Sequence, residues 1–114
     1  ENHPNAIHVL EKNIAALNLS SCCEVLKCVV EKGIPQVGKT GRIFDVIFLD
    51  PPYSGGLADT SLRLIGSSDI LAERGVVVVE HHSKEVLSER YQKLSRFDQR
   101  EYGKTGISFF VSEP

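Results

Sequence analysis

The stretch FDVIFLDPPY, residues 44–53, decides the fold of this chain of 114 residues. Its first six residues are mostly aliphatic or aromatic, which is typical of a strand buried in a parallel sheet. In such sheets ligands bind at the carboxyl edge, where the strands end, and Asp50 occupies that position. Pro51 and Pro52 fix two φ angles and remove two backbone donors, and Pro51 also keeps Asp50 extended. The turn therefore offers a carboxylate, carbonyl oxygens and the ring of Tyr53.

The turn at residues 50–53, which we call the corner, suits a planar group that carries an NH2. The oxygen acceptors take the amine hydrogens, and the Tyr53 ring stacks on the base. The alternative is purely structural, with residues 50–52 ending a strand and Tyr53 capping the core. The motif by itself leaves both interpretations open.

Upstream of this corner the pattern predicts a helix, a strand and a loop. Pro4 suits the first position of a helix, and apolar residues then recur at helical spacing. They are Ile7, Leu10, Ile14 and Leu17. A short β-prone stretch covers Cys23 to Lys27, and Pro35 to Arg42, with two glycines, reads as a loop.

Downstream the pattern alternates between helices and strands. It predicts a helix from about Leu57 to Ile65, a buried strand from Val76 to Glu80 and a short polar helix from Lys84 to Arg90. Gln92 to Tyr102 and Ile107 to Val111 read as two strands of a hairpin. We therefore predict an α/β domain with a mainly parallel sheet and a carboxyl-terminal antiparallel hairpin.

Composition indicates a globular protein of the reducing cytoplasm. Hydrophobic residues make up 41% and charged residues 25% of the chain, and no apolar stretch approaches the roughly 20 residues that span a bilayer. The three cysteines are odd in number and lack metal-site spacing, so they predict neither a disulfide framework nor a zinc site. The net charge of −2 argues against a nucleic-acid enzyme unless basic surface is supplied elsewhere.

Four stretches together carry a family resemblance. They are ENHP at residues 1–4 with Asn13 downstream, FDVIFLDPPY at 44–53, GVVVVEH at 75–81 and YGKTGISFF at 102–110. Over nearly its whole length the chain resembles the RsmD family, bacterial S-adenosylmethionine-dependent methyltransferases of guanine N2 in small-subunit ribosomal RNA. The resemblance implies a Rossmann-like class I methyltransferase fold, S-adenosylmethionine as cofactor, and ribosomal RNA or the small-subunit particle as partner.

The resemblance also implies roles for the residues of the corner. Asp50 and the Pro51 carbonyl accept hydrogen bonds from the guanine amine, Pro52 completes the rigid turn, and Tyr53 stacks on the target base. Asp50 also borders the cofactor. Positioning of the amine supplies much of the rate in a displacement of this type.

Further binding residues follow from position in the family pattern. Glu1 stands where an acidic residue holds the cofactor ribose. Val29 lies where the family commonly has Asp or Asn near the adenine, a departure that leaves backbone amides and an apolar wall. His81, at the end of a strand, is a tentative substrate contact. Because adjacent strand residues point to opposite faces, His81 and His82 do not form a metal pair, and we expect no metal site.

The chain has no glycine-rich loop between a strand and a helix, which such folds use for the cofactor. We therefore expect residues 1–114 to be the carboxyl-terminal part of a methyltransferase domain, weak in cofactor binding alone and prone to self-association through open sheet edges. Two other functions stay open: a DNA adenine or cytosine amino-methyltransferase, and a catalytically silent Rossmann-like binding module.

Overall fold

The computed structural model describes residues 39–51 and 56–113, which belong to one compact unit, Ile34–Pro114. Four predicted site residues lie outside the described residues, together with the predicted amino-terminal helix and strand. They are Glu1, Val29, Pro52 and Tyr53. In the part of the chain that is described, no helix has the length and apolar character needed to cross a membrane.

The described residues form a mixed sheet of five strands with one helix between the first two. Strand order across the sheet is β1-β2-β5-β4-β3. The elements are β1 Phe44–Leu49, α1 Leu57–Gly66, β2 Leu71–His82, β3 Arg90–Tyr91, β4 Leu94–Tyr102 and β5 Thr105–Ser112. β1 and β2 are parallel, whereas β5 is antiparallel to both β2 and β4.

The predicted unit of strand, helix and strand around the corner is confirmed. β1 has the predicted bounds, and α1 extends one residue beyond Ile65. Gly56 enters the helix with a φ of 65°, a left-handed conformation that glycine adopts without a steric cost. Leu62 and Ile65, one turn apart on α1, are fully buried, so the apolar stripe attaches this helix to the sheet.

Alternate residues of the sheet form the core. Val77, Val79, Leu94 and Phe110 are fully buried and lie on the same side of three neighbouring strands, which we call the α1 face. The ring of Tyr91 meets the ring of Phe110 edge to face, with 5.7 Å between centroids. This alternation of buried and half-buried residues is typical of strands with only one face in the core.

A partly buried hydrogen-bond chain links α1 to the short strand β3. The hydroxyl of Tyr91 donates to Asp59 Oδ1 at 2.6 Å and accepts from the Ser88 amide at 2.9 Å. Arg63 Nε donates to the other Asp59 oxygen at 2.7 Å. The hydrogen bond from Tyr91, followed by the one from Arg63, lowers the pKa of Asp59. Burial, followed by the hydrogen bond to Asp59, raises the pKa of Tyr91.

Replacing Tyr91 by Phe is expected to reduce the free energy of unfolding by about 1–2 kcal/mol at pH 7, because the Asp59 carboxylate and the Ser88 amide lose their partner. Because the pKa of Tyr91 is raised, its hydrogen bonds contribute fully to the free energy of unfolding below the ordinary tyrosine pKa of about 10. This contribution is lost as pH rises through the pKa of Tyr91 in the folded protein. Because the pKa of Asp59 is lowered, the contribution of the hydrogen bond to its carboxylate is also lost in acid, below about pH 4. Urea unfolding at pH 7 and above pH 10 measures the loss on the alkaline side, with Tyr102→Phe as an exposed control. An equal loss at both pH values would contradict the assignment.

The face opposite α1 carries apolar side chains up to the edge formed by β1. Phe48 is 78% exposed, and Val46 on the same strand is also exposed. Among the described strands β1 is an end of the sheet, and such edges offer free backbone groups for pairing. We expect the chain to self-associate at high concentration and Val46→Lys to reduce the mass seen by light scattering, whereas Val86→Lys should not. A monomer at all concentrations would contradict this prediction.

Several sequence predictions differ from the structure, among them the start of the strand predicted from Gln92, which begins at Leu94. The predicted helix from Lys84 to Arg90 is wrong: the chain turns after β2, the Ser83 amide donates to the Lys104 carbonyl at 2.8 Å, and Arg90 begins β3. β2 begins at Leu71, with an irregular stretch at Arg74, where φ is 63°. Residues 39 and 40, predicted as loop, are helical. The absence of the predicted helix has a clear cause, since backbone bonds to the hairpin replace those within a helix.

Candidate active site

Asp50 follows the last residue of β1 and is exposed. The parallel register pairs Leu49 with Val79, so the carboxyl ends of β1 and β2 lie at one edge of the sheet, as predicted. Pro51 is half-buried beside it and has no amide hydrogen. The described part of the corner therefore presents oxygen acceptors and no backbone donor at residue 51. This is the set of groups that an amine requires.

The tip of the carboxyl-terminal hairpin lies at the same edge. Across the sheet, Glu80 pairs with Ile107, and Ile107 pairs with Arg100. Asp50 follows the Leu49–Val79 pair, so it stands in the same row as these three residues. Neighbouring strands are about 4.8 Å apart, so Asp50 and Arg100 are separated by three spacings, or about 14 Å.

His81 is part of the core and not of the exposed edge. Its side chain is 1% exposed, and Nε2 lies 2.8 Å from Ser108 Oγ. Nδ1 lies 2.9 Å from the His82 carbonyl oxygen, which accepts the Nδ1 hydrogen. Nε2 is then the acceptor for the Ser108 hydroxyl. With both ring nitrogens engaged and buried, His81 holds β2 to β5, and the expectation of a substrate contact is not supported by its position.

His82 points to the opposite face, as the strand periodicity predicted. It pairs with Thr105 across the β2–β5 ladder, and its Nδ1 accepts the Lys84 amide hydrogen at 3.0 Å. Within residues 39–51 and 56–113, no three His, Cys, Asp or Glu side chains form a group that could hold a metal ion.

Sequence reasoning missed Ser108 and Gly106 as the residues that accommodate His81. Their positions follow only from the register of β5 on β2, which pairs His81 with Gly106. It also missed the aromatic residues of the hairpin, Phe97 and Phe109, whose ring centroids are 6.0 Å apart. Counting outward from the two-residue turn at 103–104 places Phe109 opposite Asp98, so the contact with Phe97 follows only from the bulge between Arg96 and Asp98.

A cleft of about 390 Å³ lies between α1 and β3, lined in part by Arg63, Ser88 and Arg90. Arg90 pairs with Ser95, which in turn pairs with Val111. Val111 faces Val76, which precedes Glu80 in the middle of β2, and β3 is at the other side of the sheet from β1. The cleft is therefore distant from Asp50 and plays no part in the proposed chemistry.

Comparisons of sequence agree on one family. The family model described as Conserved hypothetical protein 95 matches residues 1–111. A curated relative from Bacillus subtilis, "Putative rRNA methyltransferase YlbH", is 30% identical over 105 residues, which are 92% of this chain and 57% of the relative. The chain thus spans little more than half the length of that relative.

Comparisons of structure confirm the fold class. A conserved hypothetical protein from Streptococcus pyogenes matches with a TM-score of 0.83 at 24% identity, over 99% of this chain and 69% of that protein. "Putative methylase HI0767" from Haemophilus influenzae matches with a TM-score of 0.77 at 22% identity, over 100% of this chain and 70% of that protein. The described mixed sheet with helix α1 is thus part of the Rossmann-like architecture predicted from the sequence.

Proposed function

Because the chain belongs to the Conserved hypothetical protein 95 family, the RsmD family, we propose that the protein transfers a methyl group from S-adenosylmethionine to the exocyclic N2 amine of a guanine in small-subunit ribosomal RNA. The observation that carries the proposal is the exposed carboxylate of Asp50 at the carboxyl end of a parallel strand, followed directly by a proline. The rRNA methyltransferase name of the Bacillus subtilis relative supports the substrate class.

The described corner fits both the cofactor and the substrate amine. S-adenosylmethionine carries a cationic sulfonium and an amino group, and guanine carries an NH2, so each has a group that prefers oxygen acceptors. Asp50 supplies a carboxylate and Pro51 supplies a carbonyl without a competing amide hydrogen. When bound, S-adenosylmethionine supplies an electrophilic methyl group on a sulfonium that leaves as a neutral thioether.

Asp50 acts on the nitrogen that receives the methyl group. Its carboxylate accepts an amine hydrogen and so orients the nitrogen lone pair. This positioning contributes to the rate enhancement. The nitrogen becomes positively charged as its bond to the methyl carbon forms, and a fixed anion beside it stabilises that charge more than the neutral ground state. The proton is lost to water after transfer, so Asp50 is not required to be a strong base.

Glu1, Val29, Pro52 and Tyr53 stay predictions within this proposal. Glu1 would bind the cofactor ribose, Val29 would line the adenine site, and Tyr53 would stack on the flipped base, as enzymes that modify a base edge require. Pro52 would stiffen the turn that carries Tyr53.

The test is methylation of unmodified small-subunit ribosomal RNA and small-subunit particles by the intact protein, with labelled S-adenosylmethionine. Mass-spectrometric mapping should locate the product on guanine N2. Parallel reactions contain DNA with adenine and cytosine targets. Transfer to DNA in place of RNA would replace the proposal by the DNA amino-methyltransferase, and transfer to neither substrate would favour the silent binding module.

A further inference from the structure

The carboxyl-terminal hairpin carries an exposed cluster of aromatic rings around an arginine, which we call the hairpin platform. It consists of Phe97, Arg100 and Tyr102 on β4 and Phe109 on β5. Phe97 is 57% and Tyr102 59% exposed, whereas Leu94 and Phe110 of the same hairpin are fully buried. Phe97 occupies an irregularity in the ladder between Arg96 and Asp98, and such bulges re-aim a side chain.

The arginine is fixed in place by its neighbours. The guanidinium carbon of Arg100 lies 5.8 Å from the centre of the Phe109 ring, and Phe109 also contacts Phe97. A guanidinium nitrogen lies 3.2 Å from Asp98 Oδ2. A hydrogen bond to Tyr102, followed by the charge of Asp98, raises the pKa of Arg100. The guanidinium plane is therefore oriented before any ligand arrives, which lowers the entropic cost of binding.

The platform lies on the face and at the edge of the sheet that Asp50 occupies. Arg100 shares the cross-strand row of Asp50, and Tyr102 lies two residues further along β4 toward the hairpin tip. Asp50 continues the alternation of Val46 and Phe48, which are on the same face as Val78 and Phe109. A separation of about 14 Å corresponds to about four bases stacked at 3.4 Å.

We propose that the hairpin platform is a stacking site for unpaired nucleotides of the RNA substrate that flank the methylated guanine. This inference rests on the proposed function for its substrate. Phe97 and Tyr102 supply exposed ring faces, and Arg100 supplies a planar cation on which a base also stacks.

Charge indicates that the platform binds bases and not phosphates. Asp98 neutralises Arg100 directly, and Glu80 stands in the same cross-strand row. The other cations of the hairpin are Lys104 at its turn and Arg96, which is paired with Glu89 at 3.7 Å. The local surface thus has little net positive charge to attract a phosphate backbone. Stacking is indifferent to base sequence and contributes affinity without releasing many counterions.

The first experiment measures binding without a methyl donor. The 114-residue chain contains no tryptophan, so Phe97→Trp places a fluorescent ring on the platform while keeping its aromatic character. Titration with a short single-stranded oligouridine should quench this fluorescence, beyond any change seen in the protein without the substitution. Phe97→Ala and Tyr102→Ala should each weaken oligouridine binding roughly tenfold, and Phe97→Tyr should restore it. The ratio of variant to parent Kd should change little with salt, because no phosphate contact is lost.

Matched controls separate stacking from general loss of surface. Val86→Ala removes an apolar side chain that is 93% exposed and lies outside the platform, and Arg90→Lys changes an arginine of similar exposure at the other end of the sheet. Neither should alter oligouridine affinity, whereas Arg100→Lys keeps the charge but loses the planar group and should weaken it several-fold.

The same variants, assayed on the ribosomal RNA substrate, should raise KM with little change in kcat, because the platform does not touch the reacting atoms. The stacking proposal would be overturned if the Phe97→Trp protein showed no quenching, or if Phe97→Ala and Tyr102→Ala left oligouridine affinity unchanged. This holds even if the RNA is methylated. Quenching in a protein that methylates no RNA would overturn the proposed function and support the platform as an RNA-binding surface.

Discussion

Replacing Asp50 by Asn should lower kcat for methylation of ribosomal RNA by about 100-fold or more, the usual effect of removing one preorganised electrostatic group from a reaction centre. The amide can still accept one hydrogen bond but carries no charge to balance the positive nitrogen. Asp50→Ala should lower kcat further, because the acceptor is lost as well. Since Asp50 is exposed, the free energy of unfolding should change by no more than about 0.5 kcal/mol.

The matched control is Asp45→Asn, which changes another exposed aspartate at the other end of the same strand. It should retain the turnover of the parent protein. Rates are measured with saturating RNA and S-adenosylmethionine, so that a fall in kcat is distinct from a rise in KM. Turnover of Asp50→Asn within a few-fold of the parent would remove Asp50 from the reaction centre and leave the corner with a structural role.

The elements that the sequence predicted well are those whose signals are local. β1 has its predicted bounds because an apolar run ends at two prolines, and the stripe of α1 contains Leu62 and Ile65 at helical spacing. The hairpin depends on the turn at 103–104, where Gly103 has a φ of 61°. A positive φ at the first position of a two-residue loop is characteristic of a type II′ turn, which matches the twist of antiparallel strands.

The segment after β2 shows why other elements could not be predicted. Residues 84–90 are polar enough for an exposed helix, and their local propensities are compatible with one. In the structure, however, the Ser83 amide is bonded to the hairpin, Leu87 is buried, and the Ser88 amide is bonded to Tyr91. The hairpin contact spans about 20 residues of sequence and so leaves no periodic pattern. Tertiary contacts decide this segment over propensity.

The candidate site divides in the same way. The position of Asp50 at the sheet edge could be predicted because it depends only on the end of one strand and the prolines beside it. The burial of His81 could not, because it depends on Ser108 being 27 residues away in sequence and next to it in the sheet. A histidine at the end of an apolar run at the carboxyl edge looks like a substrate contact until the register of β5 is known. Predicting the hairpin platform would have required the same strand register and the bulge at Phe97.

Replacing Gly106 by Ala is expected to destabilise the protein by about 2–4 kcal/mol, from overpacking and from the loss of buried hydrogen bonds. A Cβ at this position would lie 2.6 Å from Cε1 of His81 and 3.1 Å from each ring nitrogen. An exposed side chain would move aside at little cost. The His81 ring cannot, because Ser108 Oγ and the His82 carbonyl hold it on both sides and any displacement leaves buried polar atoms without partners.

A double-mutant cycle tests this explanation directly. His81→Ala alone should also destabilise, because it leaves a cavity and an unpaired Ser108 hydroxyl. In that background Gly106→Ala should cost little, since the clash is gone and Ala is favoured over Gly within a strand. The coupling free energy from urea unfolding should therefore exceed about 1 kcal/mol. Additive costs would show that Gly106 is required for a reason other than the His81 ring.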